Sequence, residues 1–207
     1  MSQRQKPLIN RFIVGPLGVN CYVVADPVSK EACVIDPGAD GAKIKSFIQK
    51  NSLDLKFIIN THGHGDHIAA NRDLGAPVYI HAADKGCLTD PKKNMSAGIF
   101  MFDIISPKAS RVLEDGDVIK LGSLELKVLH TPGHTKGSIS ITLDGVIFTG
   151  DTLFQGGIGR TDLAGGDEEE ILRSIREKLL VFKDDTVIYP GHGGPSTIGE
   201  ERSAYLT

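Results

Sequence analysis

The sequence contains no tryptophan, few aromatic residues (6%) and no apolar run long enough to span a membrane. Its formal net charge of −3 provides no overall basic field that would attract nucleic acid or an anionic membrane surface. The first ten residues are polar and lack the hydrophobic segment of a secretion signal. We therefore predict a cytoplasmic protein whose partner is a small molecule, with neither nucleic acid nor membrane as a partner.

Cysteine is also scarce. Cys21, Cys33 and Cys87 form no CxxC pair, and two of them lie in apolar segments with strand character. This pattern favours buried, reduced thiols over disulfides or metal ligation. The rest of the composition, 40% hydrophobic and 24% charged residues, is typical of a globular protein.

No linker, charge block or repeat divides the chain, so we predict a single domain over residues 1–207. Short β-branched segments bounded by Gly, Pro, Asp or Asn predict strands at residues 11–14, 21–25, 32–35, 56–60, 78–81, 124–129, 139–143, 146–149 and 187–189. Together with two periodic segments that look like surface helices covering a sheet, these strands are compatible with an α/β protein.

Helical periodicity appears in two places. Ile44, Phe47 and Ile48 share one face of the first predicted helix, and apolar residues recur between 171 and 182 in the second. Asp167 is the expected N-cap of the second helix, with acidic residues in its first turn. Residues 89–102 form the one long irregular segment, for which both a lid and a surface loop anchored by its aromatic residues are open interpretations.

The main chemical motif is THGHGDH at residues 61–67, directly after a predicted strand and before a helix-like stretch at 68–74. In an extended turn, His62 and His64 point the same way and can hold one ion, while Asp66 and His67 can reach a neighbouring ion. The intervening glycines allow the backbone to bend sharply. One HxH pair is a weak signal, but HxHxDH at the end of a strand is a strong one.

Further candidate ligands follow other strands at their carboxyl ends. His134 comes in TPGH, Asp151 in FTGD and His192 in YPGH, each directly after a glycine. Any one of these histidines alone is more often structural than a ligand, but five of the seven histidines fall into this pattern. Histidine and carboxylate ligands suit zinc, iron or manganese, and a carboxylate can bridge two ions. The sequence therefore predicts a site for two divalent metal ions, with zinc preferred.

Other polar residues near these motifs have simpler interpretations. His81 and His130 lack the glycine turn and are interpreted as structural or as supporting the ligands from behind. Asp26, Asp36 and Asp40 flank turns, where capping of the local backbone explains them. A supporting role of Asp36 at the metal site remains the alternative.

With these motifs in order, the chain resembles the metallo-β-lactamase superfamily over roughly residues 12–200. The resemblance implies an αββα four-layer sandwich with mixed β-sheets and the metals in a cleft at one edge. It also implies the metal ligands: His62, His64 and His134 for one ion, Asp66, His67 and His192 for the second, and Asp151 as the bridge.

Within that superfamily the chain resembles the glyoxalase II (hydroxyacylglutathione hydrolase) branch, in its short, single-domain bacterial form. Full-length members continue into a C-terminal helical domain that contacts glutathione, whereas this sequence ends soon after His192. The loop GGIGRTD at 156–162 also resembles one in the persulfide dioxygenases, a mononuclear iron branch. Arg160 on this loop is a candidate ligand for a substrate carboxylate, with a salt bridge to Asp162 or Asp167 as the equal alternative.

The expected function is hydrolysis of thioesters such as S-lactoylglutathione by a water that two metals activate, with Asp66 orienting that water. Three alternatives stay open: a mononuclear iron persulfide dioxygenase, a non-catalytic metal-binding module and a phosphodiesterase. The acidic balance disfavours the last of these. A homodimer is one oligomeric state that the sequence leaves open.

Overall fold

The computed structural model describes residues 6–98 and 102–205. The first half of the chain forms a six-stranded sheet from β1 (Leu8–Val14), β2 (Val19–Ala25), β3 (Glu31–Ile35), β4 (Asp54–Ile59), β5 (Val78–His81) and β6 (Arg111–Leu113), in that spatial order. β1, β2 and β3 pair antiparallel, whereas β3, β4, β5 and β6 pair parallel. The carboxyl ends of β3 to β6 therefore meet at one edge.

The second half forms another six-stranded sheet from β7 (Val118–Leu121), β8 (Leu124–His130), β9 (Ile139–Leu143), β10 (Val146–Gly150), β13 (Val187–Pro190) and β14 (Ser196–Thr197). Their spatial order is β14-β13-β10-β9-β8-β7, and a small hairpin of β11 (Leu153–Phe154) and β12 (Gly157–Ile158) stands apart. β9 is antiparallel to both β8 and β10, and β10 is parallel to β13. Hence β8, β10 and β13 all end at the same edge of this sheet.

Helices cover the outer faces of both sheets. They are α1 (Gly41–Lys50), α2 (Gly65–Ile68), α3 (Asn71–Leu74), α4 (Glu168–Ser174) and α5 (Ile198–Tyr205), with a 3₁₀ helix over Ala82–Thr89 and a π-helical turn over Ile175–Leu179 that continues α4. No helix in the described ranges is both long and apolar enough to cross a membrane.

Alternation along the strands divides the apolar residues into three cores. In β2, Tyr22 and Val24 join the core between the two sheets, while Cys21 and Val23 face the helices. The core outside the first sheet includes Ile44 of α1. The core outside the second sheet is built from β10, β13, α4, its π-helical turn and α5. Three cores between four layers are the αββα sandwich that the family resemblance implied.

Each predicted strand is present. The predictions at 78–81 and 139–143 have the same bounds as β5 and β9, and the bounds of the others differ by one to three residues. The sequence did not predict β6, β7 or the two-residue strands, which are too short to give a clear alternation signal. Asp167 caps α4 as expected, because its side chain accepts a hydrogen bond from the backbone N–H of Glu170 at 2.9 Å. The helix-like stretch at 68–74 is wrong as one unit, since Ala69 and Ala70 separate α2 from α3.

The irregular segment at 89–102 is not anchored by the aromatic residue that the structure describes there. Phe102 is 70% exposed, and residues 99–101 lie outside the described part of the chain. Buried polar side chains hold the segment instead. The amide of Asn94 donates to the carbonyls of Cys87 and Ile104, both at 2.9 Å, and the Ser96 hydroxyl accepts from the Ile104 N–H. The anchor is therefore a hydrogen-bond network.

Candidate metal centre

The predicted ligands converge on one cleft between the carboxyl edges of the two sheets. His62 and His64 follow β4, while Asp66 and His67 lie in the first turn of α2. The second sheet supplies the rest at the ends of β8, β10 and β13, namely His134, Asp151 and His192. Because these three strands run in the same direction, residues separated by dozens of positions in the chain come together.

Within the described residues, three groups of side chains could each hold a metal ion, with their ligand atoms within 4.8 Å of one another. The groups are His62, His64 and His134; His62, His67 and Asp151; and Asp66, His67 and His192. The first and third groups match the two triads that the family resemblance implied. The second group contains Asp151, which that resemblance placed between them.

Asp151 lies between the two triads. Its Oδ2 is 3.6 Å from Nε2 of His134 on one side and 3.6 Å from Nε2 of His192 on the other. Its Oδ1 is 3.5 Å from Nε2 of His67. A single carboxylate thus reaches ligand atoms of both triads, as a bridging ligand must.

Among the candidate ligands that the structure describes, three buried atoms lack a hydrogen-bond partner. Nδ1 of His67 faces the carboxylate of Asp36 at 3.1 Å, whereas Nε2 of His62 and Oδ1 of Asp151 lie in the cleft. Leaving such a group buried and unpaired is costly, on the order of 1–3 kcal/mol. A cation contacting both would satisfy them, and imidazole nitrogen with carboxylate oxygen is a donor set suited to zinc, iron or manganese. The residues therefore fit the divalent metals that this donor pattern predicts.

The electrostatics of the first triad favour neutral imidazoles, which is the form that binds metals. Burial lowers the pKa of His62 well below its usual value, and burial together with the neighbouring His134 lowers the pKa of His64 to about 3. The pKa of His67 shifts in the opposite direction. Burial lowers its pKa, but the carboxylates of Asp151, Asp66 and Asp36 outweigh burial and raise it to about 10. Those carboxylates therefore favour positive charge at this point in the cleft.

Backbone carbonyls fix the orientation of two candidate ligands. Nδ1 of His134 lies 2.7 Å from the carbonyl oxygen of Arg160, and Nδ1 of His192 lies 3.2 Å from that of Leu17. A carbonyl oxygen can only accept, so Nδ1 carries the proton in each ring. Nε2 of both rings then presents its lone pair to the cleft.

Asp36 has a larger role than local capping. Its carboxylate accepts from the backbone N–H of Thr61 at 2.7 Å and from the Thr61 hydroxyl at 2.6 Å, and its Oδ2 lies 3.1 Å from Nδ1 of His67. The interpretation of Asp36 as a turn cap is therefore wrong. Asp36 instead supports the candidate metal site through its contacts with Thr61 and with the candidate ligand His67, which was the alternative interpretation. Asp26, by contrast, does cap its own turn, accepting from the N–H groups of Val28 and Ser29.

Sequence reasoning missed Asp84, which lies in the 3₁₀ helix and is buried (3% exposed). Its carboxylate accepts from the N–H of Gly63 at 2.9 Å, the N–H of Gly137 at 2.9 Å and the hydroxyl of Thr135 at 2.7 Å. One side chain thus ties the HxH turn to the loop that follows His134. Nothing local in the sequence marks it, because every partner is distant in the chain.

His81 and His130 lie outside the candidate centre. Their rings stack on each other with centroids 4.1 Å apart. Nδ1 of His81 accepts from the N–H of Ala83, and Nε2 of His130 is 2.9 Å from the carbonyl of Lys136. These contacts give both side chains structural partners.

The cleft opens into a cavity of about 490 Å³. Candidate ligands form its floor, and Asn94 and Met95 of the irregular segment line it together with Phe154 and Arg160. Arg160 forms a two-point ion pair with Asp162, with both N···O distances 2.8 Å, and both side chains are exposed. The salt-bridge alternative for Arg160 is thus present, and Arg160 also lies on the wall of the cavity.

Two mixed sheets with helices outside and a histidine and aspartate cleft at one edge define a metal-dependent class of enzymes, most of them hydrolases. The family model of the metallo-β-lactamase superfamily matches residues 14–192, which is most of the chain. The chain therefore belongs to this superfamily.

Similar proteins come from several bacteria. An uncharacterized protein of Mycobacterium tuberculosis is 42% identical, with 94% of this chain and 95% of that protein covered. The probable metallo-hydrolase YqgX of Bacillus subtilis is 37% identical over 93% of each chain. The hydroxyacylglutathione hydrolase GloC of Haemophilus influenzae is 38% identical, with coverage of 88% and 89%.

Solved structures show the same fold. The BLEG-1 B3 metallo-β-lactamase superposes with a TM-score of 0.90 at 35% identity, covering 96% of this chain and 98% of that one. TTHA1623 in a di-iron-bound form gives 0.82 at 31% identity, with 95% and 98% covered. ETHE1 from Myxococcus xanthus gives 0.81 at 27% identity, with 96% and 83% covered.

Proposed function

We propose that this protein is a hydrolase that holds two divalent metal ions, zinc by preference, and cleaves thioesters of the hydroxyacylglutathione type. The observation that carries the proposal is the presence of a second triad, Asp66, His67 and His192, beside the first, with Asp151 within reach of both. A mononuclear site needs only one such group. The similarity to a protein named hydroxyacylglutathione hydrolase supports the thioester subtype.

In this proposal His62, His64 and His134 would hold one ion, and Asp66, His67 and His192 would hold the other. Asp151, which is within reach of both groups, would contribute to both. When bound, such a pair of cations lowers the pKa of a water molecule towards neutrality and polarises a substrate carbonyl. The histidines act as ligands, so none of them serves as a general base.

The chain's own residues position the reactants. Asp66 lies at the floor of the cavity with its side chain 17% exposed, and His192 and His67 flank its Oδ2 at 3.6 and 3.9 Å. Its carboxylate is placed to accept a hydrogen bond from the attacking water and so orient it. Burial raises the pKa of Asp66, but the adjacent histidines outweigh this and hold the pKa well below its usual value. Asp66 is therefore ionised at neutral pH.

The reaction is balanced without a redox partner. Water adds to the carbonyl carbon, the C–S bond breaks, and the products are a carboxylate and a thiol. Arg160, on the wall of the cavity, is the expected contact for an anionic thiol portion such as glutathione.

The test is to measure metals per chain in the purified protein and then assay three reactions in parallel. These are thiol release from S-lactoylglutathione, oxygen uptake with glutathione persulfide, and hydrolysis of a chromogenic β-lactam. We expect two metals per chain, thioester cleavage and no oxygen uptake. One iron per chain with oxygen uptake would overturn the proposal in favour of a dioxygenase, and lactam hydrolysis without thioester cleavage would overturn the substrate class.

A pair of histidine variants sharpens this test. His192→Ala removes a ligand of the second ion only, so metal content should fall towards one per chain and thioester turnover should fall with it. His130→Ala is the matched control, because His130 is a histidine with a structural partner outside the cleft. Its metal content and turnover should equal those of the wild type. Wild-type turnover in His192→Ala would contradict the two-metal assignment.

A further inference from the structure

A second cavity adjoins the metal centre, separate from the large one. Its volume is about 230 Å³, and its wall is mostly apolar, with Val14, Leu17, Val19, Ala39, Ala69 and Ile104 among the lining residues. Leu17 and Asp66 line both cavities, so the two meet beside the second triad. We call this space the apolar pocket.

The apolar pocket exists because small residues surround it. Gly38 lies so close to the backbone of Asp66 that a Cβ at position 38 would be 1.6 Å from the Asp66 carbonyl oxygen. Ala39 and Ala69 contribute only methyl groups to the wall. Larger side chains at 39 or 69 would fill the space. At about 30 Å³ for each water-sized group, it accommodates roughly seven such groups, the size of a short hydrocarbon chain.

Leu17 stands at the junction of the two cavities. Its carbonyl accepts from Nδ1 of His192, so its backbone is fixed beside the metal centre, while its side chain is 54% exposed. The side chain can change rotamer without breaking the backbone contact to His192. A ligand that lies over the metal centre can therefore extend past Leu17 into the apolar pocket.

The chemistry of the two cavities differs. No basic side chain is among the described residues that line the apolar pocket, and its one charged lining residue is Asp66, which it shares with the metal centre. The larger cavity has Arg160 on its wall, which complements an anionic group. A thioester with an anionic thiol portion therefore fits one way round, with the thiol portion towards Arg160 and the acyl portion towards the apolar pocket.

We infer that the apolar pocket binds the hydrocarbon chain of the acyl group, so that the preferred substrates are thioesters with acyl chains several carbons longer than a lactoyl group. This inference rests on the proposed thioester hydrolysis and specifies its substrate class. Each methylene that enters the pocket contributes about 0.8 kcal/mol, or about fourfold in kcat/KM.

The test is a series of acylglutathione thioesters from acetyl to octanoyl, assayed with the metal-loaded wild type and with pocket-filling variants. For the wild type, kcat/KM should rise about fourfold per methylene until the pocket is full. Ala69→Leu should abolish the rise, because the larger side chain occupies the space that the longer acyl chains would enter. Ala39→Leu should also fill the apolar pocket, and it replaces Ala69→Leu in the test if that variant does not fold.

Ala76→Leu is the matched control. Ala76 is a partly buried alanine packed against the same helix-side core, but it does not line the apolar pocket. This variant should keep the wild-type dependence on chain length. A flat wild-type profile, a rise that persists in both filled variants, or an equal effect of Ala76→Leu would overturn the inference.

Binding of non-hydrolysable S-alkylglutathiones separates this inference from the proposed function. Their affinity, measured by calorimetry, should increase with alkyl length in the wild type and not in Ala69→Leu. If no thioester is cleaved but this length dependence is found, the proposed function fails and the apolar pocket remains. If thioesters are cleaved but affinity does not depend on length, the pocket assignment fails and the proposed function remains.

Discussion

Asp84 offers a direct test of how the metal centre is held in place. Its buried carboxylate accepts three hydrogen bonds that tie the turn carrying His62 and His64 to the loop after His134. Asp84→Asn keeps the shape of the side chain but replaces one accepting oxygen with an NH₂ group. Oδ1 accepts from Gly137 and Oδ2 from Gly63 and Thr135, so the variant loses the bond from Gly137 in one orientation of the amide and the bond from Gly63 in the other.

The expected size of the effect follows from these contacts. A hydrogen bond to a charged group contributes about 1.5–3 kcal/mol, so we expect a loss of stability of about 2 kcal/mol or more. For a chain of this length each kcal/mol corresponds to about 2–4 °C in Tm. Because the lost contact also positions the ligands, we expect metal affinity to fall by about 10–100-fold, as for other residues that support metal ligands from behind.

Asp26→Asn is the matched control for this prediction. Asp26 is likewise a buried carboxylate (1% exposed), and it accepts hydrogen bonds from the backbone N–H groups of Val28, Ser29 and Ser123. These turns carry no candidate ligand. The control variant should lower Tm by a similar amount while leaving the affinity for metal unchanged.

The assay is metal-free protein titrated with zinc in competition with a chromophoric chelator, together with thermal unfolding of the metal-free and metal-loaded forms. The reasoning is refuted if Asp84→Asn binds zinc as tightly as the wild type despite a lower Tm. Equal losses of affinity in Asp84→Asn and Asp26→Asn would also refute it, since the effect would then reflect general destabilisation.

Three further predictions concern metal, pH and backbone. Removing metal with a chelator should lower Tm, because a ligand that binds only the folded state and is present at 100 times its Kd stabilises that state by about 2.7 kcal/mol. Calorimetry with and without zinc measures the difference in Tm, and an unchanged Tm would contradict the prediction. The hydrogen bond from the backbone N–H of Ser123 is the main cause that lowers the pKa of Asp26 to about 2. The ionised Asp26 therefore contributes to stability above about pH 4, and this contribution is lost as the pH falls towards 2. The difference in Tm between the wild type and Asp26→Asn should shrink over that pH range. Gly38→Ala should lower both Tm and metal content, because its Cβ would meet the Asp66 carbonyl, whereas Gly157→Ala, where a Cβ meets nothing within 4 Å, should change neither in the same measurements.

Local sequence was sufficient to predict most of the strands and the candidate ligands. The strands are marked by β-branched segments between turn residues, and this pattern depends on neighbours in the chain alone. The same holds for HxHxDH, whose spacing by itself brings imidazoles and a carboxylate together. The positions of His134, Asp151 and His192 after strand ends could also be predicted from the sequence, since each residue follows an apolar strand and a glycine.

What the sequence did not predict depends on residues that are far apart in the chain. Asp36 looked like a turn cap because its partners, Thr61 and His67, lie beyond an intervening helix and strand. Asp84 gave no signal, because the loops it joins become neighbours only when the two sheets pack together.

The apolar pocket and the break between α2 and α3 are likewise decided by the tertiary structure. The pocket forms where the turn before β2, the loop before α1, the segment around α2 and residues 102–104 approach one another, and no single segment encodes its volume. Sequence by itself therefore determined which groups can do the chemistry, through local patterns of residue type. Only the packing of the sheets decided which groups hold the candidate ligands in place and what shape the cleft has, because those properties arise from contacts between distant segments.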